Sequence, residues 1–224
     1  MSLGAKFIDN QITRVYRWFV FPFIKLGLLS KHVVFRIKGY ADHNTVFDGD
    51  NFIGQDSFLS GCHLGRGTYV ADFSKLFCLN TGKFCSIGGG VMTAIGTHPV
   101  NENISTSPSF FSKSSTNGLE FVNSQYFEEQ TGPVTLGNDV WVGAGAILIG
   151  GITVGDGAII GAGSVVTKDC EPYGVYAGCP ARLIKKRFDD VSIEKLLELK
   201  WWDKDDKWLR ENAESFANPG EFFV

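Results

Sequence analysis

The chain has 224 residues, with 21 Lys and Arg against 24 Asp and Glu for a formal charge of −3. That near balance provides no electrostatic footprint for a nucleic-acid partner, and the length suits one large β domain with appendages. The cysteines Cys62, Cys78, Cys85, Cys170 and Cys179 are odd in number and lack the paired spacing of a zinc site or a disulfide scaffold. No metal and a reducing, cytoplasmic setting are expected.

The first feature in chain order is the aromatic run "WFVFPFI" at residues 18–24, flanked by Arg14, Arg17 and Lys25 and interrupted by Pro22. It is too short for a bilayer, which needs about 20 apolar residues. It reads as a cap over the open end of a core, within an N-terminal segment 1–45, in preference to a peripheral membrane contact.

A repeat begins after residue 45. Phe47, Ile53 and Leu59 are followed by Leu64, Val70 and Leu76, then by Thr81, Ile87 and Thr93, each position 17 residues after its counterpart. From Leu136 an aliphatic residue recurs every six: Leu136, Val142, Leu148, Val154, Ile160, Val166. Two residues before the later ones stand Val140, Ala146, Ile152, Ala158 and Ser164. A hexapeptide period predicts a parallel β-helix, three units per triangular coil, with the aliphatic residues stacked inside and strands about 4.8 Å apart.

Between the two runs lies a polar excursion, residues 99–133, rich in Ser, Asn and Thr and carrying Phe110, Phe111, Phe121, Tyr126 and Phe127. Loops this long inside compact domains are usually functional, and this composition suits a polar ring. Beyond the β-helix domain at 46–188, "SIEKLLELKWW" at 192–202 has Ile193, Leu196, Leu197 and Trp201 at helical spacing. A C-terminal helical extension over 189–224 is expected.

The stretches "GKFCSIGGGV" (82–91), "IGTHPV" (95–100), "GNDVWVGAGAIL" (137–148), "IIGAGSVVTKD" (159–169) and "GCPARLIKKRF" (178–188) resemble the hexapeptide-repeat acyltransferases. The likeness is to the branch of xenobiotic acetyltransferases and polysaccharide O-acetyltransferases. That resemblance implies an all-β, left-handed parallel β-helix with an extruded loop and a C-terminal α-helix. It also implies acetyl-CoA as cosubstrate, a homotrimer, and a small hydroxylated acceptor such as a sugar or surface-glycan precursor. Acetylation of a xenobiotic or of a sugar amine uses the same parts, and a non-catalytic binding β-helix is the remaining alternative.

Acetyl transfer to an alcohol needs a base that works near neutral pH, and imidazole is suited to it. The resemblance assigns that role to His98, where the repeat stops. His32, His43 and His63 lack its context, and with His98 they do not show the spacing of a three-histidine zinc site, which argues against a metal-dependent β-helix enzyme. Asp72 and Glu120 are candidates for a carboxylate that orients the ring. Backbone N–H groups around Gly143, Ala144 and Gly145 are candidate oxyanion donors. Trp141 is expected either near the thioester or in subunit packing. Small residues at 161–164, Ala162 and Gly163 among them, would let the pantetheine arm approach, with Lys168, Arg182 and Lys185 toward its phosphates.

Overall fold

A computed structural model describes residues 26–101, 103–115 and 118–217. The aromatic run at 18–24 lies outside the described residues. The strands, in chain order, are β1 (Val34–Phe35), β2 (Tyr40–Ala41), β3 (Val46–Phe47), β4 (Phe52–Ile53), β5 (Phe58–Ser60), β6 (His63–Leu64), β7 (Tyr69–Val70), β8 (Lys75–Phe77) and β9 (Leu79–Thr81). They continue with β10 (Ser86–Ile87), β11 (Met92–Ala94), β12 (Val134–Leu136), β13 (Trp141–Val142), β14 (Ile147–Ile149), β15 (Thr153–Val154), β16 (Ile159–Ile160), β17 (Val165–Val166), β18 (Gly174–Gly178) and β19 (Ala181–Lys186). Through β17 every third strand pairs in parallel, and β18 pairs in parallel with β16. The first sheet runs β1-β4-β7-β10-β13-β16-β18, the second β2-β5-β8-β11-β14-β17 and the third β3-β6-β9-β12-β15.

The six-residue period puts one aliphatic side chain per face into the prism. Ile53 stands over Val70, Leu59 over Leu76, Ile87 over Val142 and Leu148 over Val166, all fully buried or nearly so. Each such side chain contributes about 2 kcal/mol through burial. The stack also starts earlier than residue 46: Phe35 and Ala41 continue the spacing backward and pair against Ile53 and Leu59.

The second inward position of each unit often carries a polar residue, and each finds a partner in the next coil. Asn51 Nδ2 donates to the carbonyls of Gly65 (2.8 Å) and Thr68 (3.0 Å). The hydroxyls of Ser57, Thr68 and Ser74 donate to Ala71, Gly82 and Gly88 at 2.8, 3.0 and 3.1 Å. Buried hydroxyls that bridge coils add register without orphaned polar atoms.

Past the last coil, β19 folds back antiparallel on β18. The chain then descends along the corner between the third and first sheets. Arg187 donates to the Gly157 carbonyl (2.6 Å) and pairs with Asp139 (3.2 Å), whose carboxyl burial pushes up against the pull of the guanidinium. Helix α1 (Asp190–Leu199) follows, capped by Asp189, which accepts from the Ser192 N–H at 2.8 Å. Trp201 meets Phe84 at 5.2 Å, Lys83 pairs with Asp203, and Arg66 pairs with Asp206 at the start of α2 (Asp206–Glu211). The segment that follows α1 therefore lies against its own chain's coils.

Candidate active site

The polar loop leaves the second sheet after β11 and returns to start β12 on the third, so it is inserted within one coil. Its neck is a short antiparallel ribbon. Thr131 N–H donates to the Ile95 carbonyl (2.8 Å), Gly96 bridges Gln130, and Thr97 N–H donates to the Glu129 carbonyl (2.9 Å). The next coil presents Gly150 beneath this ribbon, where a Cβ would collide with the Thr131 hydroxyl and lie 3.1 Å from Ile95 Cα. Only glycine fits.

His98 follows the neck directly and is solvent-exposed. Its Nδ1 lies 2.8 Å from the Thr106 carbonyl oxygen. That oxygen can only accept, so Nδ1 carries the proton and Nε2 presents its lone pair outward. The ring stands edge-on to Phe111 at 6.0 Å, and Phe111 is fully buried, packed also on Phe127 at 5.6 Å. A 3-10 turn at Pro108–Phe110 makes this possible: proline presets the backbone, and the Phe111 and Ser112 N–H groups both donate to the Pro108 carbonyl. Phe110 and Phe121 stack on each other 5.2 Å apart and remain exposed.

Neither expected carboxylate bonds the imidazole. Asp72 Oδ1 accepts from the Gln55 N–H (2.7 Å) at a corner between the first and second sheets, and Glu120 is exposed in the loop. The orienting group is a backbone carbonyl instead. The carboxylate within electrostatic reach is Glu129, held below the usual carboxyl range by the Ser112 hydroxyl, then by Gln125, with His98 adding to the effect.

Gly143, Ala144 and Gly145 share the corner between the first and second sheets with Ala162 and Gly163, one coil apart. The expected oxyanion donors need correction here. The Gly143 N–H is committed to Ile160 (2.7 Å), the Gly145 N–H to Gly89 (2.9 Å) and the Gly163 N–H to Ala144 (2.9 Å). The ladder uses them because stacked corners satisfy alternate amides. Among the described residues, no acceptor meets the N–H of Ala144 or Ala162, and both residues are exposed. Their surroundings are small: a Cβ on Gly143 would lie 2.8 Å from Ala162 Cα.

This corner and His98 flank opposite edges of the second sheet, so one chain does not bring them side by side. Trp141 lies on the outer face of the first sheet, half exposed, between Ser86 and Ile159. Lys168 and Arg182 do come together, lining a cleft of about 220 Å³ with Val166, Cys170 and Tyr176 at the C-terminal mouth of the prism. Lys185 sits outside that cleft, opposite Val175. Among the described residues no group of three His, Cys, Asp or Glu side chains is placed to hold a metal, and no helix is long and apolar enough to cross a membrane.

A family model described as "Bacterial transferase hexapeptide (six repeats)" matches residues 133–168. Chloramphenicol acetyltransferase of Agrobacterium fabrum is 44% identical over 158 residues, covering 67% of this chain and 74% of that protein. The chain belongs to the left-handed β-helix acetyltransferases. It is an acyltransferase of that family, and its three parallel sheets are the family's solenoid. Galactoside O-acetyltransferase of Escherichia coli is 31% identical over 134 residues, 58% of this chain and 56% of that protein. Among solved structures, AntD, an N-acyltransferase from Bacillus cereus in complex with a dTDP-amino sugar and coenzyme A, matches in fold (TM-score 0.52, 20% identity, 79% of this chain and 95% of that one).

Proposed function

We propose that this acetyltransferase moves the acetyl group of acetyl-CoA to a hydroxyl of a sugar or surface-glycan precursor, with His98 as general base. The observation that carries the reading is the contact of Nδ1 with the Thr106 carbonyl oxygen at 2.8 Å, which leaves Nε2, on the other side of the ring, to accept a proton. In the transfer, Nε2 takes the hydroxyl proton while the acceptor oxygen bonds the thioester carbonyl carbon. The C–S bond then breaks, and the thiolate of coenzyme A takes the proton back from the imidazolium. The uncommitted N–H of Ala144 suits the oxyanion, and the small residues at Ala162 and Gly163 suit a closely approaching pantetheine arm. Lys168 and Arg182 supply cationic groups for its phosphates, with Lys185 nearby on the same strand as Arg182.

A complete site on this reading takes two copies of the chain. His98 of one protomer would face the Ala144 corner of the next, which a closed threefold ring provides. The outward column of Phe52, Tyr69, Ser86 and Trp141 on the first sheet, aromatic at three of its four positions, gives such an assembly apolar surface to cover. A second acceptor, chloramphenicol, is favoured by the 44% identity to a chloramphenicol acetyltransferase. The deciding experiment measures free thiol released from acetyl-CoA against nucleotide sugars, simple glycosides, amino sugars and chloramphenicol. Turnover with a hydroxyl acceptor is expected, and turnover confined to amino groups overturns the O-transfer reading.

A further inference from the structure

Charge is divided unevenly along the molecule. At the C-terminal mouth of the prism, Lys168 and Arg182 line the cleft, and among the described residues neither forms an ion pair. Around His98 the balance reverses: residues 99–133 hold Glu102, Glu120, Glu128 and Glu129 against a single Lys113 and no arginine. Glu128 falls opposite His98 in the register of the neck, in which Gly96 bridges Gln130 and Thr97 meets Glu129. Glu120 and Glu128 are exposed and, among the described residues, paired with no cation. The corner between the first and second sheets, which a two-copy site sets opposite His98, adds no cationic excess: Lys38 pairs with Asp56 at 3.9 Å, and Lys75 is matched in number by Asp72. Beside this acidic field lies an apolar platform. Phe110 and Phe121 stack 5.2 Å apart and 25° from parallel, yet they stay 51% and 67% exposed. The platform is fixed to the site: the Phe121 N–H donates to the Ser109 carbonyl at 2.9 Å, and Phe110 directly precedes the Phe111 that packs on the His98 ring.

We propose that the acceptor is an uncharged alcohol with an apolar ring face, seated on the Phe110–Phe121 pair, and that acceptors carrying negative charge are turned away by the loop. The inference rests on the reading of His98 as the base at the acceptor end of the site. A nucleotide sugar or a sugar phosphate brings several negative charges into a region of like charge, with only Lys113 to meet them. A ring face laid on two aromatic side chains makes its contact without any charge. The donor meets the opposite surroundings, since its phosphates go to Lys168 and Arg182. For a sugar, this places acetylation after the glycosyl transfer that removes the nucleotide diphosphate, on the neutral glycoside.

The test uses the full chain with acetyl-CoA and acceptor pairs of one shape that differ in charge: p-nitrophenyl against p-carboxyphenyl β-galactoside, and chloramphenicol against its analogue with a carboxylate in place of the nitro group. In whichever pair the wild type acetylates, the uncharged member should have the higher kcat/KM, by about 5-fold or more at low salt, and the gap should narrow in about 0.5 M NaCl. Glu120→Lys combined with Glu128→Lys should narrow the same gap and leave the KM for acetyl-CoA unchanged. Phe121→Ala, at an exposed position, should raise the KM of the uncharged acceptor roughly 3- to 10-fold, again with the KM for acetyl-CoA unchanged. Equal kcat/KM within the pair, or acetylation of UDP-galactose in preference to both uncharged acceptors, overturns the inference. So does an acceptor KM unmoved by Phe121→Ala, and a changed oligomeric mass in that variant would then mark the aromatic pair as a subunit contact. Full activity of His98→Ala, or turnover confined to amino groups, instead removes the reading beneath the inference, so the two failures are distinguishable.

Discussion

Replacing Phe111 by alanine separates the loop's contribution from that of the prism. Phe111 is fully buried, yet it packs on His98 and Phe127 and stands outside the contiguous core that the stacked aliphatics form. A buried Phe→Ala change costs about 3–5 kcal/mol through lost transfer energy and the cavity left behind. Here that cost falls on the loop's small cluster. Even about 3 kcal/mol alters the ratio of ordered to open loop by about two orders of magnitude. The expected result is a large fall in kcat for thiol release from acetyl-CoA, with a thermal transition of the β-helix close to wild type. Hydrogen exchange should localise the change: the Phe111 and Ser112 amides, bonded to Pro108, should lose protection while strand amides such as Met92, bonded to Ala146, keep theirs. Wild-type turnover together with unchanged protection over 106–112 would refute the claim that this cluster holds the His98 ring.

Two further predictions follow from the geometry. Arg182→Ala should raise the KM for acetyl-CoA with little effect on kcat, the mark of lost uniform binding, and more so than Lys185→Ala, because Arg182 lines the cleft with Lys168 while Lys185 lies outside it. An unchanged KM in both variants would place the coenzyme elsewhere. Alkylation by iodoacetamide at pH 8, followed by peptide mass spectrometry, should label exposed Cys179 and spare Cys62, Cys85 and Cys170. Burial pushes those three thiols up to about 11, 12 and 12, so almost no thiolate is present at that pH. Rapid labelling of Cys85 in the folded protein would contradict the packing.

The repeat was legible because the β-helix writes its core as a spacing: Leu136 through Val166 all point inward, as their six-residue interval requires. The first coil was harder to see. Phe35 and Ala41 keep the interval, but an aromatic and a small residue do not look like members of an aliphatic series. His98 stood out by its motif, whereas its orienting partner could not. A backbone carbonyl at Thr106 carries no residue-type signal, and the expectation of a carboxylate drew attention to Asp72 and Glu120. Glu129 was hidden by distance along the chain, since only the antiparallel neck brings residue 129 to residue 97. The unshared amides of Ala144 and Ala162 likewise depend on which corner N–H groups the next coil consumes, a property of stacking and not of composition.

The most direct test of the account is the turnover of His98→Ala with acetyl-CoA and the acceptor that the wild type uses, measured as thiol release across pH. The ring is exposed, so the fold should survive its loss, and acetyl-CoA should still bind. A positioned base contributes about 10²-fold or more, so turnover should fall by at least that factor. The wild-type rate should also depend on pH through a limb that the residual activity of the variant lacks. A His98→Ala protein that acetylates the same acceptor at the wild-type rate, with the wild-type pH profile, would contradict the account.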